Sequence, residues 1–382
     1  MWWRWCCGAL VPAVVLLTRP AWGTSEPVRI PAMILIDAVT GQTLREQDAE
    51  TPRPAGALNQ LMVLLLSLEA VDLGALPPDA PTTVSSAAAT APGARIPLRA
   101  GAAYLFSDLL KAITLDAAND ATIAAAEAIG GSVPACLDLM NARAQRLGME
   151  ATRYTNIGGT KAAGSAAIDT TTARDQAHLA LELTRHPQVL QWASLTGLPF
   201  DRGGVLLHNI NQLVGRVPGV DGLQVSAGGG AGRGASFGAV ATAQRGALRL
   251  IAIVLDAPDS AARYNAAAEL LEWGFAHYER VDVVRKGEPL DLPVRVLDGS
   301  VSQLTPVAGD SFSLLRQRDQ ERDLQIRYQL PAVLTAPLQR NERIGEVIIE
   351  EKGQLVAVVP ALSPAKVVST RMLSAALLSG GR

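Results

Sequence analysis

Residues 58–71 read LNQLMVLLLSLEAV, and this stretch decides the fold. Leu58, Leu61, Met62, Leu64, Leu65, Leu66 and Leu68 leave almost no polar stripe at helical spacing, so the helix predicted here is apolar on nearly every side and belongs in the middle of a domain. Pro54-Ala55-Gly56 precedes it and Gly74 closes it. Toward the N-terminus, Ala32-Met33-Ile34-Leu35-Ile36-Asp37 reads as a strand, with Thr40-Gly41 as a turn into a second extended piece. Toward the C-terminus, helices are expected over 107–115 and 120–129, enclosing the short connection Asp116-Ala117-Ala118-Asn119, and again over 132–147 and 171–184. Residues 247–256 then read as a strand, and 261–273 as a last helix.

Beyond about residue 281 the texture changes to short alternating strands with Gly, Pro and Asp turns, as in Val347-Ile348-Ile349, Glu351-Lys352-Gly353 and Leu355-Val356-Ala357-Val358. The expected organisation is a leader over 1–23, an α+β unit over 24–280, a small all-β domain over 281–362, and a tail over 363–382. In the tail, Val368, Met372, Leu373, Leu377 and Leu378 recur in a helical rhythm with Lys366 and Arg371 among them. It reads either as an amphipathic segment in weak contact with a membrane or as a frayed end.

The leader has Arg4 among tryptophans, an apolar run from Cys6 to Leu17 too short to span a bilayer, and small residues in Pro20-Ala21-Trp22-Gly23 where a signal peptidase would cut. The expectation is export to the periplasm, peripheral on the inner membrane if the tail engages it; an uncut N-terminal anchor is the alternative. Removing Arg4 and Arg19 from the 34 basic residues leaves 32 against 36 acidic ones, a net charge of −4. That balance provides no footprint for a nucleic-acid backbone. Only Cys136 remains outside the leader, and His178, His186, His208 and His277 lack ligand spacing, so neither a disulfide framework nor a metal site is expected, and no cofactor is implied.

The segments Ile34-Leu35-Ile36-Asp37-Ala38-x-Thr40-Gly41, Asn119-Asp120-Ala121, Asn141 with Leu147-Gly148-Met149, Thr172-Ala173-Arg174-Asp175, Val220-Asp221-Gly222-Leu223 and Leu270-Leu271-x-Trp273-Gly274-Phe275 together resemble the serine D-alanyl-D-alanine carboxypeptidases, the low-molecular-mass penicillin-binding proteins. Their order covers most of residues 30–280. The resemblance implies the penicillin-binding/β-lactamase-like transpeptidase fold, an antiparallel sheet flanked by helices, with a small all-β C-terminal domain.

In that family the chemistry rests on Ser-x-x-Lys at the start of the buried helix, Ser-x-Asn on a neighbouring loop and Lys-Thr-Gly on an edge strand. Residues i and i+3 share a helix face, so a lysine amine can take the serine proton. Matched onto this chain, the first motif falls on Ala57 and Gln60, or one residue earlier on Gly56 and Asn59. The second is Ala117-Ala118-Asn119, and the third is Gln224-Val225-Ser226. None of these supplies a nucleophile with an amine base. None of the lysines outside the leader, Lys111, Lys161, Lys286, Lys352 and Lys366, follows a serine by three at the start of the buried helix.

Gly234-Ala235-Ser236-Phe237-Gly238 matches the G-x-S-x-G elbow with Asp256 and His277 following, but the resemblance places residues 239–241 on a sheet strand where an elbow needs a helix. The glycine cluster 228–234 lacks phosphate-loop spacing. Asn119 either orients a substrate amide, as the resemblance implies, or caps the next helix. Arg263 either receives a peptide carboxylate, as the resemblance implies, or is a solvated residue at a helix start. The sequence therefore predicts a catalytically silent homologue with a binding or scaffold role in peptidoglycan maintenance, docking a stem peptide or a cell-wall enzyme. The alternative is an active serine-type carboxypeptidase using other groups.

Overall fold

The structure is a computed structural model and describes residues 32–158, 169–201, 204–226, 237–320 and 322–371. The expected leader, Lys161, the glycine cluster, Ser236 and the tail beyond Arg371 lie outside them.

Strands β1 (Ala32–Asp37) and β2 (Thr43–Gln47) form the opening hairpin. With β3 (Val220–Ser226), β4 (Phe237–Arg245) and β5 (Leu248–Ala257) they make a five-stranded sheet in the order β2-β1-β5-β4-β3, antiparallel at every junction. The helices are α1 (Asn59–Asp72), α2 (Ser86–Ala89), α3 (Phe106–Asp116), α4 (Asn119–Gly130), α5 (Val133–Arg146), α6 (Ala173–Leu183), α7 (Pro187–Ala193) and α8 (Ser260–His277).

Strand alternation explains the layers. In β1, Ile34 and Ile36 join the core built around α1, α3, α4 and α6, whereas Leu35 faces the opposite core with Leu270, Leu271 and Phe275 of α8. In β5, Ile251 and Ile253 take the first side and Leu250 and Ala252 the second. A sheet covered on both faces needs uninterrupted apolar runs, and β1 has one over residues 32–36 and β5 over 250–255. Helix α1 packs against α3, α4, α5 and α6, which is why its sequence is apolar all round. Each fully buried Leu in it, such as Leu61, Leu64 and Leu65, contributes roughly 1.5–3 kcal/mol through area removed from water.

Helix α8 runs to His277, four residues beyond the expected end. Gly274 does not stop it. A Cβ there would lie 2.6 Å from Leu250 Cδ1 and 2.8 Å from Leu35 Cδ2, so the glycine serves close approach of helix to sheet. The sequence reading did not identify α2, α7 or the hairpin of Gly197–Phe200 with Val205–His208. The two helices are too short, at four and seven residues, to establish a period.

The all-β part starts at Tyr278, three residues earlier than expected. Its main strands are β6 (Tyr278–Val284), β7 (Phe312–Gln317), β8 (Leu324–Gln329), β9 (Arg343–Glu351) and β10 (Gln354–Leu362). β9 and β10 form a hairpin whose turn, Lys352-Gly353, has φ of 50° and 78°, the left-handed pair that matches strand twist. The expected tail needs correction: Val367 bridges Leu338 and Ser369 bridges Gly299, and Ser363, Val367 and Ser369 are buried. Residues 363–369 are thus packed into the β part. Val368 and Lys366 belong to this docked stretch, so the helical rhythm read across 363–382 does not begin there. The two parts of the chain are joined by Asp37 at the end of β1 and Arg280 on β6, a buried ion pair at 2.5 Å.

Candidate active site

Helix α1 begins without a side-chain cap and continues directly from a 3-10 turn, Gly56–Leu58. Gly56 has φ +56°, and a Cβ on it would lie 2.5 Å from Ser226 Oγ, so only glycine fits between the turn and the end of β3. That turn sets Ala57 at the rim and Gln60 beneath it.

Of the two readings of the first motif, the structure brings together the one with Gln60. Gln60 is completely buried, and its Nε2 donates to Asn119 Oδ1 at 2.7 Å and to Ala117 O at 2.9 Å. Gln224 Nε2 donates to Gln60 Oε1 at 2.8 Å and to Ile113 O at 3.3 Å. Asn59 is directed elsewhere, to Asn156 O at 3.0 Å and to the carboxylate of Asp169. The Asp169 carboxylate also accepts from Thr155 and Asn156.

Ala117 ends α3 in the left-handed region, φ 49°, and this corner aims its carbonyl at Gln60. Asn119 then starts α4, but the N-cap position is Ala118, and the Asn119 side chain caps nothing. The capping alternative is therefore wrong: Asn119 Nδ2 donates to Pro92 O at 2.6 Å and its backbone N–H to Ala94 O at 2.7 Å. Asp120 holds the same loop by accepting from the backbone N–H groups of Ile96 and Leu98. Asp116, in the same connection, turns away to the His208 N–H, and burial pushes its pKa up.

On β3, alternation separates the third motif. Gln224 and Ser226 face α1, while Val225 packs into the opposite core with Ala239, Tyr264 and Ala267. Ser226 Oγ accepts from the backbone N–H of Ala57 at 3.2 Å, and Ser226 O accepts from Arg263 Nη1. Arg263 lies at a helix start, in the first turn of α8, but at 5% exposed it is not solvated. Its Nη2 donates to Ser260 Oγ at 3.2 Å and to Tyr264 Oη at 3.0 Å, and the Tyr264 ring lies 4.5 Å from the guanidinium. Tyr264 and Ser260 were not identified from the sequence; the hydroxyls flanking Arg263 in helical spacing were the available signal.

The elbow reading does not assemble. Asp256 is the next-to-last residue of β5 and pairs with Arg53 at 3.5 Å, whereas His277 closes α8 and stacks on Trp273. Some 18 residues of helix, at about 1.5 Å each, separate the two ends of α8. Lys111 pairs with Asp108 at 2.8 Å and Lys286 with Asp310 at 3.7 Å. Among the described residues no His, Cys, Asp and Glu cluster is arranged to hold a metal.

An antiparallel sheet between helices, with a buried helix whose first turn meets an interhelical loop and an edge strand, is the penicillin-binding-protein class of α+β fold, here followed by an all-β domain. The chain belongs to the D-alanyl-D-alanine carboxypeptidase family: residues 23–259 match that family and residues 278–369 match the C-terminal domain of penicillin-binding protein 5. It is 29% identical over 360 residues to D-alanyl-D-alanine carboxypeptidase DacC of Escherichia coli, covering 91% of this chain and 88% of that one. It is 26% identical over 332 residues to DacF of Bacillus subtilis, covering 86% and 83%. Among solved structures, a peptidoglycan synthesis regulatory factor from Streptococcus pneumoniae superposes with a TM-score of 0.72 at 23% identity, covering 89% and 99% of the chains, a likeness of fold. The family is one of D-alanyl-D-alanine carboxypeptidases of peptidoglycan metabolism, acting on stem peptides at the cell wall.

Proposed function

We propose that this chain is a catalytically silent member of its family that binds peptidoglycan stem peptides in the periplasm. The observation that carries the reading is the run of neutral amides Gln224–Gln60–Asn119, placed where acyl transfer needs a nucleophile and amine bases. Ala57 offers a methyl group, and Ala117 another. A glutamine amide cannot accept a proton near neutral pH, so no member of the set activates a hydroxyl. In serine hydrolases the loss of one member of such a unit lowers turnover by about 10⁴ to 10⁶, and further losses add little. Here Ala57, Gln60, Ala117, Gln224 and Val225 all depart from the catalytic residue types. Asn119 and Arg263 remain as the groups retained for ligand binding, with the leader 1–23 directing export and the β part available to a cell-wall enzyme.

Intact-mass analysis of the purified chain after exposure to a penicillin tests the reading. The expected spectrum contains only the unmodified mass. A stoichiometric covalent adduct would restore the active-enzyme reading.

A further inference from the structure

Apart from the amide cluster, a cavity of about 380 Å³ is lined by residues of two short antiparallel ribbons and the loop before one of them. The first ribbon pairs Pro81–Thr83 with Ala103–Leu105, and the second pairs Gly197–Phe200 with Val205–His208. The volume falls in the range of small-ligand sites. Tyr104 and Phe200, with ring centroids 5.5 Å apart, line it together with Ile96, Pro97 and Val205. These walls are anchored from behind. Asp120 accepts from the N–H groups of Ile96 and Leu98, and Phe200 is buried in the main core.

Two exposed charges of opposite sign line the same cavity, Arg99 on the loop and Asp201 at the end of the strand Gly197–Phe200. Among the described residues neither makes an ion pair, with the other or with a third group. By contrast, Arg174 pairs with Glu46 and Glu50, and Arg245 with Glu272. Tyr104 Oη accepts from the Arg99 backbone N–H at 3.4 Å, while its own proton has no acceptor among the described residues. A cation with a hydroxyl donor thus stands on one side of an apolar lining and an anion on the other. A ligand that is only an anion answers Arg99 but is opposed by Asp201, and one that is only a cation is opposed by Arg99. An α-amino acid carries both charges on one carbon and answers both.

We propose that this cavity binds the zwitterionic head of an amino acid, its carboxylate on Arg99 and Tyr104 Oη, its ammonium on Asp201, and its aliphatic chain along Ile96, Pro97 and Val205. The head belongs either to a free amino acid or to a peptide side chain that ends in one. The site goes beyond the stem-peptide reading and uses none of Gln60, Asn119, Gln224 or Arg263. The test is a ligand-observed NMR titration of the purified chain with norleucine, N-acetylnorleucine and norleucine amide. Two tripeptides complete the set, one carrying diaminopimelate, whose side chain ends in an α-amino acid, and the same peptide with lysine in its place.

Norleucine is expected to bind at least about tenfold more tightly than either blocked form, since each block removes one charge-assisted contact. Arg99→Gln and Asp201→Asn each weaken binding by about tenfold. Both are surface substitutions, and Asn tolerates the φ of 42° that Asp201 adopts. If the diaminopimelate peptide binds more tightly than norleucine and than the lysine peptide, the head is that of a peptide side chain; if norleucine binds more tightly, it is that of a free amino acid. Either result, with its loss in Arg99→Gln and Asp201→Asn, supports the proposal. Equal binding of free and blocked norleucine, affinities unmoved by both substitutions, or no binding of norleucine and of the diaminopimelate peptide overturns it. The penicillin test of the silent cleft reads out separately from all of these.

Discussion

Gln224 Nε2 on the edge strand and Gln60 Oε1 in the first turn of the buried helix are joined by a 2.8 Å hydrogen bond across 164 residues of sequence. The bond stitches β3 to α1 with two neutral groups at a point where opposed or paired charges would titrate. Because the same Gln60 side chain also holds Ala117 O and Asn119 Oδ1, one residue ties together all three elements that form the cleft.

Gln60→Ala removes these bonds and leaves Ala117 O, Asn119 Oδ1 and Gln224 Nε2 short of a partner in a buried place. Buried polar groups left unmade cost roughly 1–3 kcal/mol each, with partial relief from Ile113 O and from water, so a net loss of about 2–4 kcal/mol is expected. Denaturant unfolding would report this as a lower midpoint at unchanged slope. A loss below about 0.5 kcal/mol would mean that the amide network carries no stability.

Ala57→Ser alone is expected to release no measurable D-alanine from a D-alanyl-D-alanine peptide. The new hydroxyl would sit above an amide that cannot take its proton, and the Ala57 N–H beside it is held by Ser226. Release assayed against protein concentration checks this; a rate proportional to enzyme in Ala57→Ser would show that a base other than a lysine serves the cleft.

The sheet and its main helices were legible because their apolar periods are long and uninterrupted: β1, β5 and α1 bury both faces or the whole circumference, and nothing but a central position accommodates them. The boundaries that slipped have tertiary causes. Gly274 looks like a helix stop but is a contact residue, and residues 363–369 look like a tail because their anchoring bridges, to Leu338 and Gly299, are not local in sequence. For the candidate site, motif spacing located Gln60, Asn119 and Gln224, but the choice between Asn59 and Gln60 required the helix phase that the turn at Gly56 sets. Arg263 was located as a residue, while its burial depends on Tyr264, Phe237 and the carbonyl of Ser226, which lie on three elements and share no pattern.

Asp37 and Arg280 form the buried charge pair between the first strand and the β part, with both side chains no more than 3% exposed. Asp37 Oδ2 also accepts from Thr40 N–H and Oγ1, and Arg280 Nη1 donates to Ser313, while Asp37 Oδ1 and Arg280 Nε are buried without a hydrogen-bond partner. Asp37→Ala strands a buried guanidinium and is expected to cost about 3–5 kcal/mol. Replacing both, as Asp37→Ala with Arg280→Met, should recover a large part of that loss. A double-mutant cycle that returned simple additivity would show that the two residues act independently.

Asp175 provides the pH-dependent test. It lies in the first turn of α6, and burial raises its pKa above the ordinary aspartate value, opposed by hydrogen bonds from Thr152 Oγ1 and Ala151 N–H. A carboxyl whose folded pKa is raised holds its proton more tightly in the folded than in the unfolded chain. Its contribution to stability is fully present below the unfolded value of 3.8 and is lost as pH rises through the raised folded value. Asp175→Asn cannot titrate, so the stability of the wild type relative to this variant should fall as pH rises from about 3 toward about 7, followed by chemical denaturation at each pH. A wild type that gained on the variant over that range would mean that the Thr152 and Ala151 bonds outweigh desolvation, and that Asp175 is held as a carboxylate.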